Sequence, residues 1–226
     1  IYLFPEAQER LVTFEGRSQR GFDFYRLVAP QFEEMDLLEK NAGPEQIAPF
    51  QPDLVILKSY MADSVGSALE EIDIPVIYVD FETPEQFERD INIVGQLLDS
   101  PERAKIIEIF YDSVLRGIDI YLNDVVQSDK PDILLIQYSD DEGEIAFKVP
   151  SVDWIQTQLV TLAGGIPIWS EAAQAGGWTV VGFEQIAAWN PDKIFVINYA
   201  EDPTTAVESL MLNPNWMALD AVQQGE

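Results

Sequence analysis

The sequence predicts an α/β protein made of two similar lobes, each built on a parallel sheet. One observation is a duplicated segment, in which Glu-Gln-Ile-Ala, three variable residues and Pro-Asp lead into an apolar run, at residues 45–57 and again at 184–197. A helix that stops ahead of proline, a turn and a buried strand explain each copy. The other observation is that apolar runs alternate with amphipathic segments along the chain, which is typical of parallel strands covered by helices.

The first half of the chain is expected to begin with the end of a helix at residues 1–9. Local patterns then predict a strand, a short helix, a parallel strand and a longer helix at residues 11–14, 62–71, 75–80 and 83–98. The start of the longer helix is the best defined, because Thr83 can cap it, Pro84 suits the first helical position and Gln86 can complete a capping box.

A long amphipathic helix is predicted between the two copies of the segment. Ser100-Pro101 opens it, and apolar residues recur at spacings of three and four until the polar stretch 128–131. At 1.5 Å per residue, such a helix is about 40 Å long. It could pack on one domain or join two lobes, and the presence of one copy of the segment on each side favours the second interpretation.

The second half repeats the alternation of strands and helices. A strand, an acidic turn and an extended piece are expected at residues 133–138, 139–144 and 145–149. A helix at 151–162 should end at Gly164-Gly165, because glycine is the usual residue after a helix C-terminus. An extended piece, a loop and two helices complete the prediction at residues 166–169, 174–177, 204–212 and 216–224.

Composition excludes several classes of chemistry. The 226 residues are 47% hydrophobic and 23% charged, which suits one large domain or two lobes with a substantial core. The chain has no cysteine, so disulfides and thiol chemistry are excluded, and it has no histidine. Without histidine, Ser-His-Asp and Cys-His catalysis and the usual zinc ligand sets are excluded as well. No apolar stretch is long enough to span a bilayer.

The formal net charge is −27, from 13 basic and 40 acidic residues. Nucleic-acid binding needs a basic face, so no nucleic-acid partner is expected. A solvated acidic surface, such as a salty habitat favours, explains the charge, and so does an acidic face that meets a basic partner. Both interpretations stay open.

Further residues carry a resemblance to a known family. Besides the two copies of Glu-x-Ile-x-x-x-x-Pro-Asp, they are Ile74–Asp80, Leu97-Leu98 with Pro101–Ala104, Leu162–Gly165, Trp178 with Val180, and Asn213–Trp216 with Ala221-Val222. Together these stretches resemble the substrate-binding proteins of iron-siderophore and cobalamin ABC importers, and the resemblance covers almost the whole chain.

The resemblance implies two Rossmann-like lobes, residues 1–99 and 129–226, joined by a rigid backbone helix over 100–128, with a ligand cleft between them. It implies a monomer that is not an enzyme, that needs no cofactor or resident metal, and that lies in the periplasm or on the outer face of the membrane. Its ligand would be a ferric siderophore, haem or a corrinoid, delivered to the permease dimer of an ABC transporter. A strand and part of a helix would precede Ile1, and a strand and helices would follow Glu226. A signal peptide or lipoprotein anchor is therefore expected outside this stretch of chain.

Ligand-binding residues are predicted from the strand ends, because ligands of open α/β sheets bind beyond the carboxyl ends of the strands. In the two halves these residues are Arg17, Lys58, Tyr60 and Phe81, and Tyr138, Asn198 and Tyr199. The family layout adds Lys148 and Trp154, with Trp169 and Trp178 as further candidates. Packing in the core explains Trp169 better than ligand binding does. Arg17 and Lys148 can also be ordinary surface cations that contact only solvent. Aromatic rings with a few cations suit a large flat or chelated ligand.

Glu45 and Glu184 open the helices of the two copies. A glutamate in the first helical turn is favoured by the helix dipole, which is a sufficient structural explanation. The resemblance implies a further role, because in the resembled receptors a glutamate at this position of each lobe docks onto arginines of the permease.

Three other functions are weighed against a metal-chelate receptor. A chelatase or nitrogenase-like enzyme subunit has a related two-lobed fold, but such chemistries depend on histidine or cysteine ligands that this chain lacks. A receptor of the same fold for an oxyanion, molybdate or tungstate, stays open. So does a pair of lobes that serves only as an interaction module.

Overall fold

The computed structural model describes residues 3–16, 35–39, 41–141, 144–197 and 204–225. The chain separates into two compact units, Ile1–Phe110 and Tyr111–Glu226. Helices and strands alternate in the chain order, so the predicted α/β class is confirmed.

The α-helices overlap the segments in which the sequence predicts helices, and several are shorter than predicted. In chain order they are α1 Ala7–Arg10, α2 Pro44–Ile47, α3 Ser67–Glu70, α4 Pro84–Leu97, α5 Pro101–Leu122, α6 Ile155–Leu162, α7 Phe183–Trp189, α8 Thr204–Met211 and α9 Asp220–Gln224. Short 3₁₀ helices lie at Ala48–Phe50, Ser59–Met61, Gln127–Asp129 and Trp216–Ala218, and a π-helical turn at Ala62–Gly66. The predicted cap of α4 is present, since Thr83 Oγ1 accepts the N–H of Gln86 at 3.2 Å.

The strands of the described residues form two separate sheets. They are β1 Val55–Leu57, β2 Val76–Tyr78, β3 Asp132–Asp141, β4 Glu144–Val149, β5 Ile166–Pro167, β6 Thr179–Val181 and β7 Lys193–Ile197. The first sheet contains β1 and β2, and the second contains the other five. The two apolar runs of the duplicated segment therefore lie in different sheets, as the prediction of two similar halves requires.

The first unit is built on the parallel pair of β1 and β2, in which Val55 lies opposite Val76 and Leu57 opposite Tyr78. A cluster of buried apolar residues packs against this pair: Ala42, Ile47, Val65 and Leu69. A second cluster lies under α4 and α5: Phe4, Ile91, Leu98, Ala104 and Ile107. These helices approach closely at Gly95, where an added Cβ would lie 2.6 Å from the Cβ of Ala104.

The second unit has a long central strand, β3, that pairs with three others. On one side β7 runs parallel to it, from Ile133 opposite Lys193 to Gln137 opposite Ile197. On another edge, β5 pairs with the beginning of β3 and β4 with its end. The core of this unit contains the rings of Phe147, Phe183 and Trp216, and the Trp216 ring lies 5.0 and 6.0 Å from the other two.

The prediction of a wholly parallel sheet in the second half is wrong, because β4 pairs antiparallel with β3 and β6 antiparallel with β4. Only two residues separate the end of β3 at Asp141 from the start of β4 at Glu144. Such a short connection can only reverse the chain, since a parallel pair needs a crossover of about a dozen residues or more.

Two other predictions differ from the structure. Residues 11–14 form no strand with any described part of the chain, and the adjacent Glu15 makes an isolated parallel bridge with Leu38. The long helix ends at Leu122, so its 22 residues span about 33 Å. Asn123 and Asp124 follow it, and both residue types have low helix propensity.

Candidate functional site

The carboxyl ends of β1 and β2 share one edge of the first sheet, since the strands are parallel. Lys58, Ser59 and Tyr60 follow β1, and Asp80, Phe81 and Glu82 follow β2. We call these six residues, with Arg89 and Asp90 of α4, the first-unit edge. The strand-end rule thus places Lys58, Tyr60 and Phe81 at one edge of the sheet.

Lys58 is a paired cation at this edge. Its Nζ donates to the backbone oxygen of Asp80 and forms an ion pair with Glu82 Oε1 at 2.7 Å. The side chains of Lys58 and Glu82 are 39% and 25% exposed, so the pair is open to solvent and contributes about 1 kcal/mol or less to stability.

Asp80 ties the two strand ends together. Its carboxylate accepts the backbone N–H of Ser59 at 3.0 Å and the Ser59 hydroxyl at 2.6 Å, and Arg89 Nη2 lies 3.5 Å away. Burial raises the pKa of Asp80, but these hydrogen bonds and the nearby Lys58 ammonium outweigh it, and the pKa is lowered. Asp80 is therefore ionised at neutral pH.

Asp90 is fully buried and holds the loop after β2 from the side of α4. Its Oδ2 accepts the backbone N–H of Asp80 at 2.7 Å and of Phe81 at 2.9 Å, while its Oδ1 accepts Arg89 Nε at 2.6 Å. Phe81 has a φ of 55°, in the left-handed region that non-glycine residues rarely occupy. The carboxylate of Asp90 therefore fixes a backbone conformation that is unfavourable on its own.

The aromatic residues of the first-unit edge differ in exposure. Tyr60 is 68% exposed and lies in the 3₁₀ helix directly after β1. Phe81 is half-buried, and its ring contacts Phe87 edge-on at 5.8 Å as part of the second apolar cluster. Tyr60 is thus available to a ligand, whereas Phe81 is partly used in packing.

Tyr138 and Lys148 lie on opposite faces of the β3–β4 hairpin. Tyr138 pairs with Phe147 and Lys148 with Gln137, so the two candidates belong to neighbouring cross-strand pairs whose side chains point to opposite faces. Tyr138 is buried in the core of the second unit, and its hydroxyl has no hydrogen-bond partner among the described residues. The structure therefore does not bring these two predicted ligand residues together on one face of the sheet.

Two of the three candidate tryptophans lie together. The rings of Trp154 and Trp178 meet edge-to-face at 5.6 Å, and both side chains are half-buried. Ser151 Oγ accepts the N–H of Gly176 at 3.4 Å, which holds the loop before Trp178 near the start of α6. Trp169 is fully buried and donates to the Pro150 oxygen at 3.0 Å, so the expectation that it packs in the core is confirmed.

Three predicted ligand residues, Arg17, Asn198 and Tyr199, lie outside the described residues. Sequence reasoning missed three residues of the first-unit edge, Glu82, Arg89 and Asp90, and gave Asp80 no role. No sequence signal identified them, because α4 brings Arg89 and Asp90 back to the strand ends only in three dimensions. Within the described ranges, no group of three acidic, histidine or cysteine residues is arranged to hold a metal ion.

Glu45 and Glu184 occupy matching positions in the structure. Each lies two residues after a glycine with extended backbone, Gly43 at φ −84° and ψ 174° and Gly182 at φ −82° and ψ 161°. Both glutamates are exposed, and both carboxylates fold back over that glycine, as near as 2.5 Å and 3.2 Å to the position of an added Cβ. The structure thus presents one exposed carboxylate at an equivalent helix start in each unit.

Comparison with known proteins identifies a family that covers most of the chain. The family model described as periplasmic binding protein matches residues 28–226. No curated protein matches the sequence significantly. None of the helices in the described part of the chain is both long and apolar enough to cross a membrane.

Several solved structures share this fold. A periplasmic haem-binding protein from Pseudomonas aeruginosa has a TM-score of 0.73 at 20% identity, over 97% of this chain and 75% of that one. MolA from Haemophilus influenzae, bound to molybdate, has a TM-score of 0.76 at 16% identity, over 92% and 67%. FeuA from Bacillus subtilis, which binds a triscatecholate siderophore, has a TM-score of 0.71 at 18% identity, over 100% and 78%. At such identities the likeness establishes the fold and not the ligand.

Proposed function

Since this chain belongs to the periplasmic binding protein family, we propose that it captures a metal chelate outside the cytoplasmic membrane and delivers it to the permease of an ABC importer. The ligand is a ferric siderophore, haem or a corrinoid such as cobalamin. The protein acts as a monomeric receptor and catalyses no reaction.

The observation that carries the ligand class is the placement of the aromatic side chains. Tyr60 stands exposed beyond β1, and Trp154 and Trp178 form a half-buried pair at the start of α6. Aromatic rings supply large, rigid contact area at a small loss of conformational entropy, and they suit flat or chelated ligands that are held and later released.

A thermal-shift screen tests this proposal. The chain is heated with ferric siderophores, haem, cobalamin, molybdate and tungstate, and a metal chelate is expected to raise the melting temperature because it binds only the folded state. Tyr60→Ala should reduce the rise in melting temperature that the chelate causes. Tyr121→Ala, which removes a tyrosine 85% exposed on α5, should leave it unchanged. If only molybdate or tungstate raises the melting temperature, the ligand is an oxyanion and not a metal chelate. The likeness to MolA makes an oxyanion the second candidate.

Delivery is proposed to use Glu45 and Glu184 as docking residues. Matched glycine caps, matched exposure and matched carboxylate orientation support one contact with the permease in each unit. Carboxylate–guanidinium pairs are directional and can be bidentate, so two such contacts fix orientation as well as affinity. The helix dipole also favours a glutamate at each of these positions, so transport by charge-reversed variants is the test that separates the two roles.

A further inference from the structure

We propose that Ser59 and Asp80 are positioning residues for ligand capture, because together they hold the segment that carries Tyr60 at the edge of the first sheet. This inference rests on the proposed function, in which Tyr60 contacts the chelate. It adds two residues that act on the ligand through Tyr60.

The place of the Tyr60 side chain is determined by its backbone. The side chain is 68% exposed, and within the described part of the chain it makes no hydrogen bond, ion pair or ring contact. A side chain that meets a ligand in a fixed geometry needs support from neighbouring groups. Here that support reaches Tyr60 through the main chain.

The segment that carries Tyr60 is short and irregular. Ser59–Met61 form one turn of 3₁₀ helix directly after β1, and the π-helical turn Ala62–Gly66 follows it. Both types of helix occur in short pieces, and a single turn makes too few hydrogen bonds to be stable alone. Groups outside the segment therefore decide how firmly Tyr60 is placed.

Asp80 supplies hydrogen bonds at the start of this segment. One carboxylate oxygen accepts the backbone N–H of Ser59 at 3.0 Å, and the other accepts the Ser59 hydroxyl at 2.6 Å. Ser59 is the first residue of the 3₁₀ turn and adjoins Tyr60. Because the pKa of Asp80 is lowered, its carboxylate is ionised at neutral pH, and such charge-assisted hydrogen bonds are about twice as strong as neutral ones.

Asp80 is itself fixed to the core of the first unit. Its backbone N–H donates to the fully buried Asp90 at 2.7 Å, and its backbone oxygen accepts the Nζ of Lys58. A series of hydrogen bonds therefore connects Asp90 through Asp80 to Ser59. A displacement of Tyr60 at its N-terminal side has to break the last of these bonds.

The far end of the segment packs against the same sheet. Val65 is buried in the apolar cluster beside β1 and β2. Gly66 leaves no room for a side chain, because an added Cβ would overlap the hydroxyl of Tyr78 on β2. Tyr60 thus lies on a segment that is fixed at both ends, and the Asp80 carboxylate is the polar contact at its start.

Hydrogen exchange of the unliganded protein measures this ordering. The amides of Met61 and Ala62 close the turn by donating to the backbone oxygens of Lys58 and Ser59. Both amides should exchange faster in Ser59→Ala and in Asp80→Asn, because the turn then opens more often.

Two controls separate local ordering from overall stability. The amide of Ile91, a fully buried residue of α4, should exchange in Ser59→Ala as it does in the parent. Ser128→Ala is the matched variant, since it removes a serine hydroxyl that donates to an aspartate, Asp129, at 3.0 Å in the other unit. It should change neither exchange at residues 61 and 62 nor ligand binding.

Calorimetric titration of the full chain, with hemin, ferrichrome and cyanocobalamin as separate probes, tests the link to Tyr60. Ser59→Ala should weaken the binding of the probe that the parent binds by about three- to tenfold, the effect of one lost hydrogen bond. Ser59→Thr keeps the hydroxyl and should bind as the parent does. In a Tyr60→Ala background, Ser59→Ala should cause no further loss, because the two residues act on the ligand as one unit.

The outcomes separate the inference from the proposed function. An equal loss of affinity with and without Tyr60, an equal loss in Ser59→Thr and Ser59→Ala, or unchanged exchange at Met61 and Ala62 would each overturn the inference. Each of these results leaves chelate capture standing. If no probe binds the parent, the proposed function fails, and the inference, which rests on it, fails with it.

Discussion

At the scale of single residues, Asp90 organises the first-unit edge. Its buried carboxylate accepts two backbone N–H groups and the Arg89 guanidinium, and it fixes Phe81 in a left-handed conformation. A non-glycine residue in that conformation costs about 1–2 kcal/mol, so the hydrogen bonds of Asp90 decide whether the loop keeps its shape.

Asp90→Asn is expected to lower the free energy of unfolding at neutral pH and to flatten its dependence on pH. Burial raises the pKa of Asp90, but the hydrogen bonds from Arg89, Asp80 and Phe81 outweigh burial and lower it overall. A depressed folded pKa gives stability that is complete above the unfolded value, about 3.9 for aspartate, and that is lost as the pH falls through the folded value.

Urea unfolding of the parent and Asp90→Asn, from neutral pH down to about pH 3, measures this difference. Asp119→Asn, on the exposed face of α5, is the matched control and should follow the parent. Identical pH profiles for Asp90→Asn and the parent would show that the carboxylate charge does not hold the loop.

The sequence predicted part of this edge. The strand-end rule found Lys58 and Tyr60 because they directly follow an apolar run that forms β1. It could not find Asp90, which lies 10 residues after Asp80 on a helix that returns to the loop. It also could not predict that Tyr138 and Lys148 lie on opposite faces of the sheet, because the face of each side chain depends on the register of the β3–β4 hairpin.

At the scale of elements, the two copies of the duplicated segment also have the same backbone conformation where their helical turns end. Both copies end their helical turn in a left-handed residue, Gln51 at φ 48° and Asn190 at φ 46°. Each copy also buries its isoleucine, Ile47 or Ile186, against the core of its own unit. The similarity of the two sequences thus reflects one folding unit used twice.

Gln51→Gly is expected to stabilise the protein by about 0.5–1 kcal/mol, because glycine adopts the left-handed conformation without a Cβ penalty. Asn190→Gly should gain less, since asparagine already tolerates this conformation. Chemical denaturation of both variants measures the difference. As a control, Glu88→Gly in the middle of α4 should destabilise by about 1 kcal/mol. A loss of stability in Gln51→Gly would show that its side chain, and not its backbone, matters at this turn.

Sequence patterns predicted long elements better than short ones. The apolar periodicity of α4 and α5 extends over several turns, which makes it a strong signal. β6 has three residues and residues 11–14 make no strand, and in both places pairing with distant residues decides the outcome. The reversal of β4 depends on a two-residue connection that a coarse pattern of apolar runs does not detect.

At the scale of the whole molecule, the boundary between the two compact units falls at Phe110 and Tyr111, within α5. The division into lobes 1–99 and 129–226 with a linking helix stays a prediction. The net charge of −27 favours long-range attraction to any basic partner surface, and salt weakens that attraction.

The proposed delivery uses one carboxylate in each unit. Reversal of both charges, Glu45→Lys with Glu184→Lys, should abolish transport while ligand binding stays near that of the parent. If the helix dipole alone explained these residues, reversal would cost about 0.3–1 kcal/mol of stability at each site and spare transport. Glu9→Lys with Glu171→Lys makes the same change of net charge at exposed positions outside the duplicated segment.

The most direct measurement is ATP-dependent uptake of radiolabelled ferrichrome or cobalamin into vesicles that contain the cognate permease. We expect uptake with the parent and with the Glu9→Lys, Glu171→Lys control, and none with Glu45→Lys, Glu184→Lys, while calorimetry should find that all three bind the chelate. Normal uptake with a folded Glu45→Lys, Glu184→Lys variant, or uptake that does not require the protein, would contradict the proposed delivery.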